Sequence, residues 1–258
     1  MLDRKQKYLQ IAFNRTLEEI AVMINSLPLS DKIIIEAGYP LIKTYGVEAI
    51  RKIKQWWSER VFGLSVEGYS MEFKELCNHF IKSLFKKSTF KSTKKEIAFS
   101  PYIVADLKCM DRAFTEVKAA VSAGASAATC LGLAPLETIN AFIKRCEELG
   151  IDSVLDMMNI EYPFEVLSKL IKPPKIVMLH RGVDEGEENK EKEILYHEIE
   201  RIKDVYDDVL IAVAGGETIG EAITGVFNGA EIIVVWKPFN ENPQRIAAIA
   251  NEFLKEIK

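Results

Sequence analysis

From residue 8 onward, short apolar runs rich in Ile, Val and Ala alternate with longer stretches whose apolar positions recur at helical spacing. The run over 8–13 reads as a strand. Thr16 and Glu19 then form a capping box, and Leu17, Ile20, Ala21 and Ile24 fall on one helical face. The same alternation predicts further strands over 32–36, 102–106, 127–131, 153–157, 175–179, 209–214 and 231–235. Between them it predicts a helix over 47–57, one through 117–121 stopped by Gly124, and one over 135–149 stopped by Gly150. Pro173-Pro174 ends the helix before strand 6, and a long charged helix is expected over 188–206. A shorter helix ends near Gly229, and Asn242-Pro243 opens the last one as cap and first residue.

Eight βα units with strands apolar on both faces imply a parallel sheet joined by right-handed crossovers. In 258 residues, that count argues for closure into a (β/α)8 barrel forming a single domain. The competing open, doubly wound sheet is weakened because no G-x-G-x-x-G follows strand 1. An insertion over 58–96, between helix 2 and strand 3, is too long for a βα connection. It carries its own helical pattern at Met71, Phe73, Leu76, Phe80, Ile81 and Leu84. Its stretch 82–95 holds six lysines and no acid, which reads as a solvated face or subunit contact, with a phosphate or nucleic-acid contact as the alternative.

Composition narrows the class without naming a chemistry. Hydrophobic residues at 48% and charged residues at 28%, of mixed sign, describe an ordinary globular chain. A net charge of -4 makes no general case for nucleic acid or an anionic membrane surface. No segment approaches the ~18 apolar residues of a membrane span. The four cysteines form no C-x-x-C pair, so a reducing cytoplasm is expected and neither a zinc site nor a disulfide framework is.

The candidate chemistry sits where strands end, at the C-terminal rim that carries function in such barrels. Strand 1 runs out in Asn14, strand 2 in Glu36, strand 3 in Asp106 and Lys108, strand 6 in His180 with Arg181 and Asp184 beyond, and strand 7 in Gly215-Gly216. Strand alternation places Asp106 and Lys108 on one face, with Asp111 three residues further on. Taken alone, those three charges suit either a surface ion-pair cluster or a site. In company with the other strand ends they suit a site. Glu36 and Asp106 offer two hard oxygen ligands for Mg²⁺. Lys108 supplies a compact positive charge where an enediolate oxygen would develop, and His180 is the natural general base. Gly215 and Gly216, opening toward a helix near Thr218, offer backbone N–H groups to a phosphate. Such a set suits proton abstraction beside the carbonyl of a sugar phosphate, followed by aldol or decarboxylation chemistry.

Asp106-x-Lys108-x-x-Asp111 resembles the D-x-K-x-x-D hallmark of the orotidine 5'-monophosphate decarboxylase suprafamily. Within it, Glu36-Ala37-Gly38-Tyr39-Pro40, Ala105 to Asp111, His180 to Asp184 and Val213-Ala214-Gly215-Gly216 are most similar to 3-hexulose-6-phosphate synthases. The resemblance implies an Mg²⁺-dependent aldol reaction joining formaldehyde to D-ribulose 5-phosphate, or the reverse. It implies Glu36 and Asp106 as metal ligands, Lys108 as enediolate support and His180 as proton carrier. It also implies a homodimer in which Asp111 reaches the partner's site. The alternatives are a sugar-phosphate or orotidine 5'-phosphate decarboxylase of the same suprafamily, and a barrel that has lost catalysis and acts by binding. His180-Arg181-Gly182-Val183-Asp184 mixes two subgroup patterns. The chain departs from the family in having Asn14 where an aspartate is usual, a neutral amide that hydrogen-bonds but takes no proton. It also has Trp236-Lys237-Pro238 where glycine-rich backbone completes the phosphate site; there the Lys237 charge is the compensating candidate.

Overall fold

Strands β1 Tyr8–Phe13, β2 Ile33–Ala37, β3 Ile103–Cys109, β4 Ala127–Leu131, β5 Asp152–Asp156, β6 Ile176–His180, β7 Leu210–Ala214 and β8 Ile232–Val235 follow the predicted alternation within a residue or two at most ends. The computed structural model describes residues 2–63, 99–216 and 218–257. Each strand pairs in parallel with its sequence neighbours and β8 returns to β1, closing a (β/α)8 barrel. The helices are α1 Leu17–Ser26, α2 Tyr39–Tyr45, α3 Val47–Phe62, α4 Ala113–Ser122, α5 Leu136–Leu149, α6 Pro163–Leu167, α7 Val183–Glu188, α8 His197–Val205, α9 Ile219–Phe227, α10 Lys237–Glu241 and α11 Ile246–Glu256. None among the described residues is long and apolar enough to cross a membrane.

Local chemistry accounts for most boundaries. Thr16 Oγ1 accepts from the Glu19 N–H while the Glu19 carboxylate accepts from the Thr16 N–H, so the capping box is formed. Gly150 closes α5 in the left-handed region (φ +71), where a side chain would be strained. The long charged helix expected over 188–206 is helical only over His197–Val205, as α8, and the short α7 precedes it. Asn189 ends α7 and accepts the Glu191 N–H on its side chain, and Ile194 turns into the core before α8 begins. Two short rim helices, α2 and α10, were not foreseen. The terminal helix opens one turn late, after a 3₁₀ turn at Pro243–Arg245. The insertion expected over 58–96 begins inside α3, and the rest of it, with its lysine run, lies outside the described residues.

Two apolar layers hold the barrel. Outward residues such as Leu9, Ile11 and Phe13 bury against α1 and its neighbours, in one layer with Ile20 and Ile24. Inward residues such as Tyr8, Ile34, Val104, Val154 and Ile176 fill the interior. Toward the C-terminal ends the inward positions turn polar: Gln10, Glu36, Asp106, Thr129 and Asp156 are all buried. Burying carboxylates this way costs several kcal/mol each without compensation. Asp152 and Glu231 are buried at the N-terminal ends of β5 and β8, while the C-terminal end gathers Glu36, Asp106 and Asp156.

Candidate active site

At that end the barrel opens into a cavity of about 720 Å³ bordered by Asn14, Glu36, Asp106, Lys108, His180, Arg181, Asp184, Gly215 and Lys237, with Trp236, Met158 and Met178 among its apolar walls. Residues from seven strand ends or the loops beyond them therefore converge on one space. Asp111 does not join them: it is exposed in the turn after β3, outside the cavity. Among the described residues, Gly216 does not border the cavity either.

Lys108 owes its place to an irregularity in β3. Ala105 pairs with Ala128 and Cys109 with Cys130, so four steps on β3 span two on β4. Lys108 takes up the slack with φ +46, a conformation that costs a non-glycine residue about 1–3 kcal/mol and persists where the surroundings enforce it. Thr129 is the enforcing neighbour. Its hydroxyl accepts the Lys108 N–H at 3.0 Å and donates to Asp106 Oδ1 at 2.8 Å. Asp106 Oδ2 accepts the Tyr39 N–H at 3.2 Å, which ties α2 to the site.

The residue that organises the charges is Asp156, which sequence reasoning passed over. Fully buried at the end of β5, it receives Lys108 Nζ at 2.9 Å on Oδ2 and His180 Nδ1 at 2.9 Å. A carboxylate only accepts, so Nδ1 carries the proton and Nε2 is left for the cavity. Lys108 Nζ also lies 3.4 Å from Asp106 Oδ2. Burial opposes the Asp156 charge, yet His180 and Lys108 outweigh it and hold the carboxyl at about 2. Burial likewise opposes the His180 and Lys108 cations, and the Asp156 and Asp106 carboxylates more than reverse it, so both pKa values are raised. Glu36 goes the other way. Burial, then the neighbouring Asp106 charge, lift its pKa to about 7, against the opposing hydrogen bond from Gln10 Nε2 and the Lys108 charge. The Glu36–Asp106 side of the site is short of positive charge.

That shortage bears on a metal. No group of three or more His, Cys, Asp or Glu is arranged around a common point among the described residues. The donor set still fits a hard cation that keeps water in most positions: two buried carboxylates on adjacent strands, one of them resisting ionisation. Beside them, Asn14 Oδ1 is buried with no hydrogen-bond partner. Gly38 makes room for that amide, since a Cβ there would fall 1.9 Å from Asn14 Oδ1.

The expected phosphate seat is differently built. Thr218 caps α9 and its N–H is taken by the Glu221 carboxylate at 3.0 Å, while the Glu221 N–H bonds to Thr218 Oγ1. The Arg181 guanidinium is held by Gly215 O at 2.6 Å, Glu221 Oε1 at 3.2 Å and Lys192 O at 3.3 Å. Two donors of the helix terminus are thus satisfied internally, and the Arg181 charge is met by Glu221. Gly215 borders the cavity with φ +91, and a Cβ there would fall 2.2 Å from Arg181 O. Gly215→Ala is therefore expected to lower stability by about 1–3 kcal/mol in denaturant unfolding and to loosen the Arg181 wall. Lys237, at the start of α10 beyond β8, also borders the cavity. Pro238 at the second position of α10 removes a donor that a helix start does not use.

Comparison with known proteins agrees with this architecture. Residues 80–235 match the Orotidine 5'-phosphate decarboxylase / HUMPS family. The chain is 32% identical over 252 residues to the Bifunctional enzyme Fae/Hps of Methanosarcina acetivorans, covering 97% of this chain and 52% of that protein. It thus spans about half the length of the curated relatives it matches. The crystal structure of 3-hexulose-6-phosphate synthase from Salmonella typhimurium superposes with a TM-score of 0.71 at 21% identity, covering 97% of this chain and all of the other. That of 3-keto-L-gulonate-6-phosphate decarboxylase from Vibrio cholerae superposes with a TM-score of 0.64 at 18% identity, covering 98% and 99%. At those identities the two structures attest the barrel rather than the reaction.

Proposed function

Because the chain belongs to the Orotidine 5'-phosphate decarboxylase / HUMPS family, we propose that it is a lyase of the 3-hexulose-6-phosphate synthase type, joining formaldehyde to D-ribulose 5-phosphate or running the reverse cleavage. The observation that carries this reading is the His180–Asp156–Lys108 arrangement: a proton carrier and a fixed cation share one buried carboxylate and face the same cavity. Removing a C1 proton from ribulose 5-phosphate leaves negative charge on the C2 oxygen. His180 Nε2 takes the proton, and Lys108 stands where the charge grows. The enediolate carbon then attacks formaldehyde, and the proton on His180 is available to the new alkoxide. Asn14 and Asp184 border the cavity where substrate hydroxyls would lie, and Lys237 brings positive charge to the same cavity for the phosphate.

Glu36 and Asp106 would hold Mg²⁺, which would add positive charge beside the substrate carbonyl. Removing the Glu36 charge then has two opposite effects. A carboxyl raised from 4.5 to about 7 on folding favours the native state fully below pH 4.5, and that benefit is lost as pH rises through 7. Glu36→Gln is accordingly expected to be more stable than the parent at pH 8 without metal, by an amount on the order of 3 kcal/mol at most, with no difference near pH 4. The same variant is expected to lose the Mg²⁺-induced rise in melting temperature. Thermal melts at both pH values, with and without Mg²⁺, check it.

The second reading is a β-keto acid sugar-phosphate decarboxylase, favoured by Arg181 after His180. Purified protein with Mg²⁺ decides between them. Hexulose 6-phosphate from ribulose 5-phosphate and formaldehyde supports the first, and carbon dioxide from 3-keto-L-gulonate 6-phosphate the second. The homodimer belongs to the same proposal: Asp111 is exposed beside Met110 and Phe114, which are 45% and 57% exposed, and Leu133 and Leu136 extend that apolar surface from the packed neighbour α5. Three cysteines, Cys109, Cys130 and Cys146, are buried and unbridged, as a cytoplasmic setting would leave them.

A further inference from the structure

The cavity is polarised around the barrel. Glu36, Asp106, Lys108 and His180 border it from the sector of β2, β3 and β6, while β7, β8 and β1 present Ala214, Val234 and Ala12, with Asn14 beyond β1. In that second sector one large side chain stands out. Val234 pairs with Gln10 on one side and Ala214 on the other, and alternation along β8 brings Trp236 inward next, one step nearer the rim. Trp236 packs on the interior apolar layer, remains half-buried and borders the cavity. Its neighbours there are small, so the indole has no bulky competitor for the space above Ala12 and Ala214. Lys237 follows it directly and borders the same cavity.

On the functional reading above, the reacting carbons of the substrate lie in the charged sector, and the remaining carbons must cross to the apolar one. A sugar chain has C–H faces that an aromatic plane covers well, and the phosphate beyond them needs a cation. We propose that Trp236 is a specificity-determining residue, packing against the non-reacting carbons of the ketose phosphate and setting how far the phosphate reaches toward Lys237. The indole contributes binding rather than chemistry, because it neither titrates nor exchanges a proton with substrate carbon.

Calorimetric titration of the full chain with ribulose 5-phosphate in Mg²⁺ tests this, using the parent, Trp236→Ala and Trp236→Phe. The alanine variant is expected to bind about tenfold more weakly, and the phenylalanine variant within about threefold of the parent. Unchanged unfolding midpoints show that the variants are folded. Indole emission gives a second readout: addition of ribulose 5-phosphate is expected to shift it in the parent and not in Trp236→Phe, because Trp56 and Trp57 lie on α3. Equal affinity of all three proteins, or a phenylalanine variant as weak as alanine, overturns the role of Trp236 and leaves the functional reading standing. Failure of the parent itself to bind ribulose 5-phosphate overturns the functional reading, and this inference with it.

Discussion

Replacing Lys108 by methionine is expected to lower kcat for hexulose phosphate formation by about three orders of magnitude, with a much smaller change in KM. Removal of one preorganised donor at a developing oxyanion costs about 10²–10³ in kcat, and Lys108 brings a full charge into a site where water is scarce. Its side chain is only 16% exposed and lies between Asp106 and Asp156. Burial alone would weaken the ammonium, yet the two carboxylates hold its pKa above the usual lysine range. The group is therefore cationic throughout the working pH range and acts as a fixed charge, not as a base. Raised on folding, it stabilises the native state fully below the unfolded value of 10.5 and loses that effect only as pH rises through the folded one. The methionine variant is thus expected to be less stable than the parent at pH 7 and to converge on it only as pH falls toward 2, where Asp156 takes up its proton. Steady-state kinetics and unfolding at the two pH values check both effects. Arginine is not an adequate substitute, because its planar fork cannot fit between the two carboxylates as a compact ammonium does.

Asp156→Asn is expected to have the largest structural effect in the site. It keeps the shape of the side chain and leaves two buried cations without the carboxylate that balances them, a loss of about 3–5 kcal/mol. Activity is expected to fall by about 10²–10⁴, the scale of a lost general acid–base contribution. Asp156 touches no substrate in this account, so its role is positioning, and two pH readouts separate that from mere support. Its carboxyl is depressed on folding from 3.8 to about 2. The stability it confers is complete above pH 4 and disappears as pH falls through 2, so parent and variant are expected to converge in acid. The raised His180 pKa moves as well. With Asp156 present, the acid limb of the activity profile is expected above 6.5, the ordinary imidazole value. With asparagine it is expected to move to lower pH, because burial is then opposed only by the smaller effect of Asp106. A purely structural role for Asp156 would lower the amount of active protein without moving the limb.

The barrel was legible because every strand had a continuous apolar run that needed both faces covered, and the helices between them carried caps such as Thr16–Glu19 and stops such as Gly150. Glu36, Asp106, Lys108 and His180 were legible as charges at the ends of those runs. Asp156 gave the same signal, a carboxylate closing Ser153-Val154-Leu155, but the predicted strand ran one residue too far and placed it inside rather than at the end. The site's polar anchors Gln10 and Thr129 carry no charge, and only the pairing of β1 with β2 and of β3 with β4 brings them to Glu36 and Asp106. The break at 189–196 was hidden because charge patterning there suits an exposed helix, whereas burial of Ile194 decides the path. Helices α2 and α10 each announce themselves with a proline in the first turn, Pro40 and Pro238, but helices of five to seven residues draw their stability from tertiary burial of Leu41 and Phe239 rather than from periodicity. The phosphate seat at Gly215-Gly216 was read from backbone freedom alone, and sequence spacing does not show that Glu221 and Arg181 already meet there.

Exchange of the C1 hydrogen of ribulose 5-phosphate in D2O, without formaldehyde, tests the central claim most directly, because it reports proton removal by His180 under the Lys108 charge before any bond to a second substrate forms. Followed by proton NMR with Mg²⁺ present, the parent is expected to replace one C1 hydrogen by deuterium while Lys108→Met and Asp156→Asn exchange slowly or not at all. Absence of exchange by the folded, Mg²⁺-supplied parent, or exchange undiminished in both variants, would contradict it.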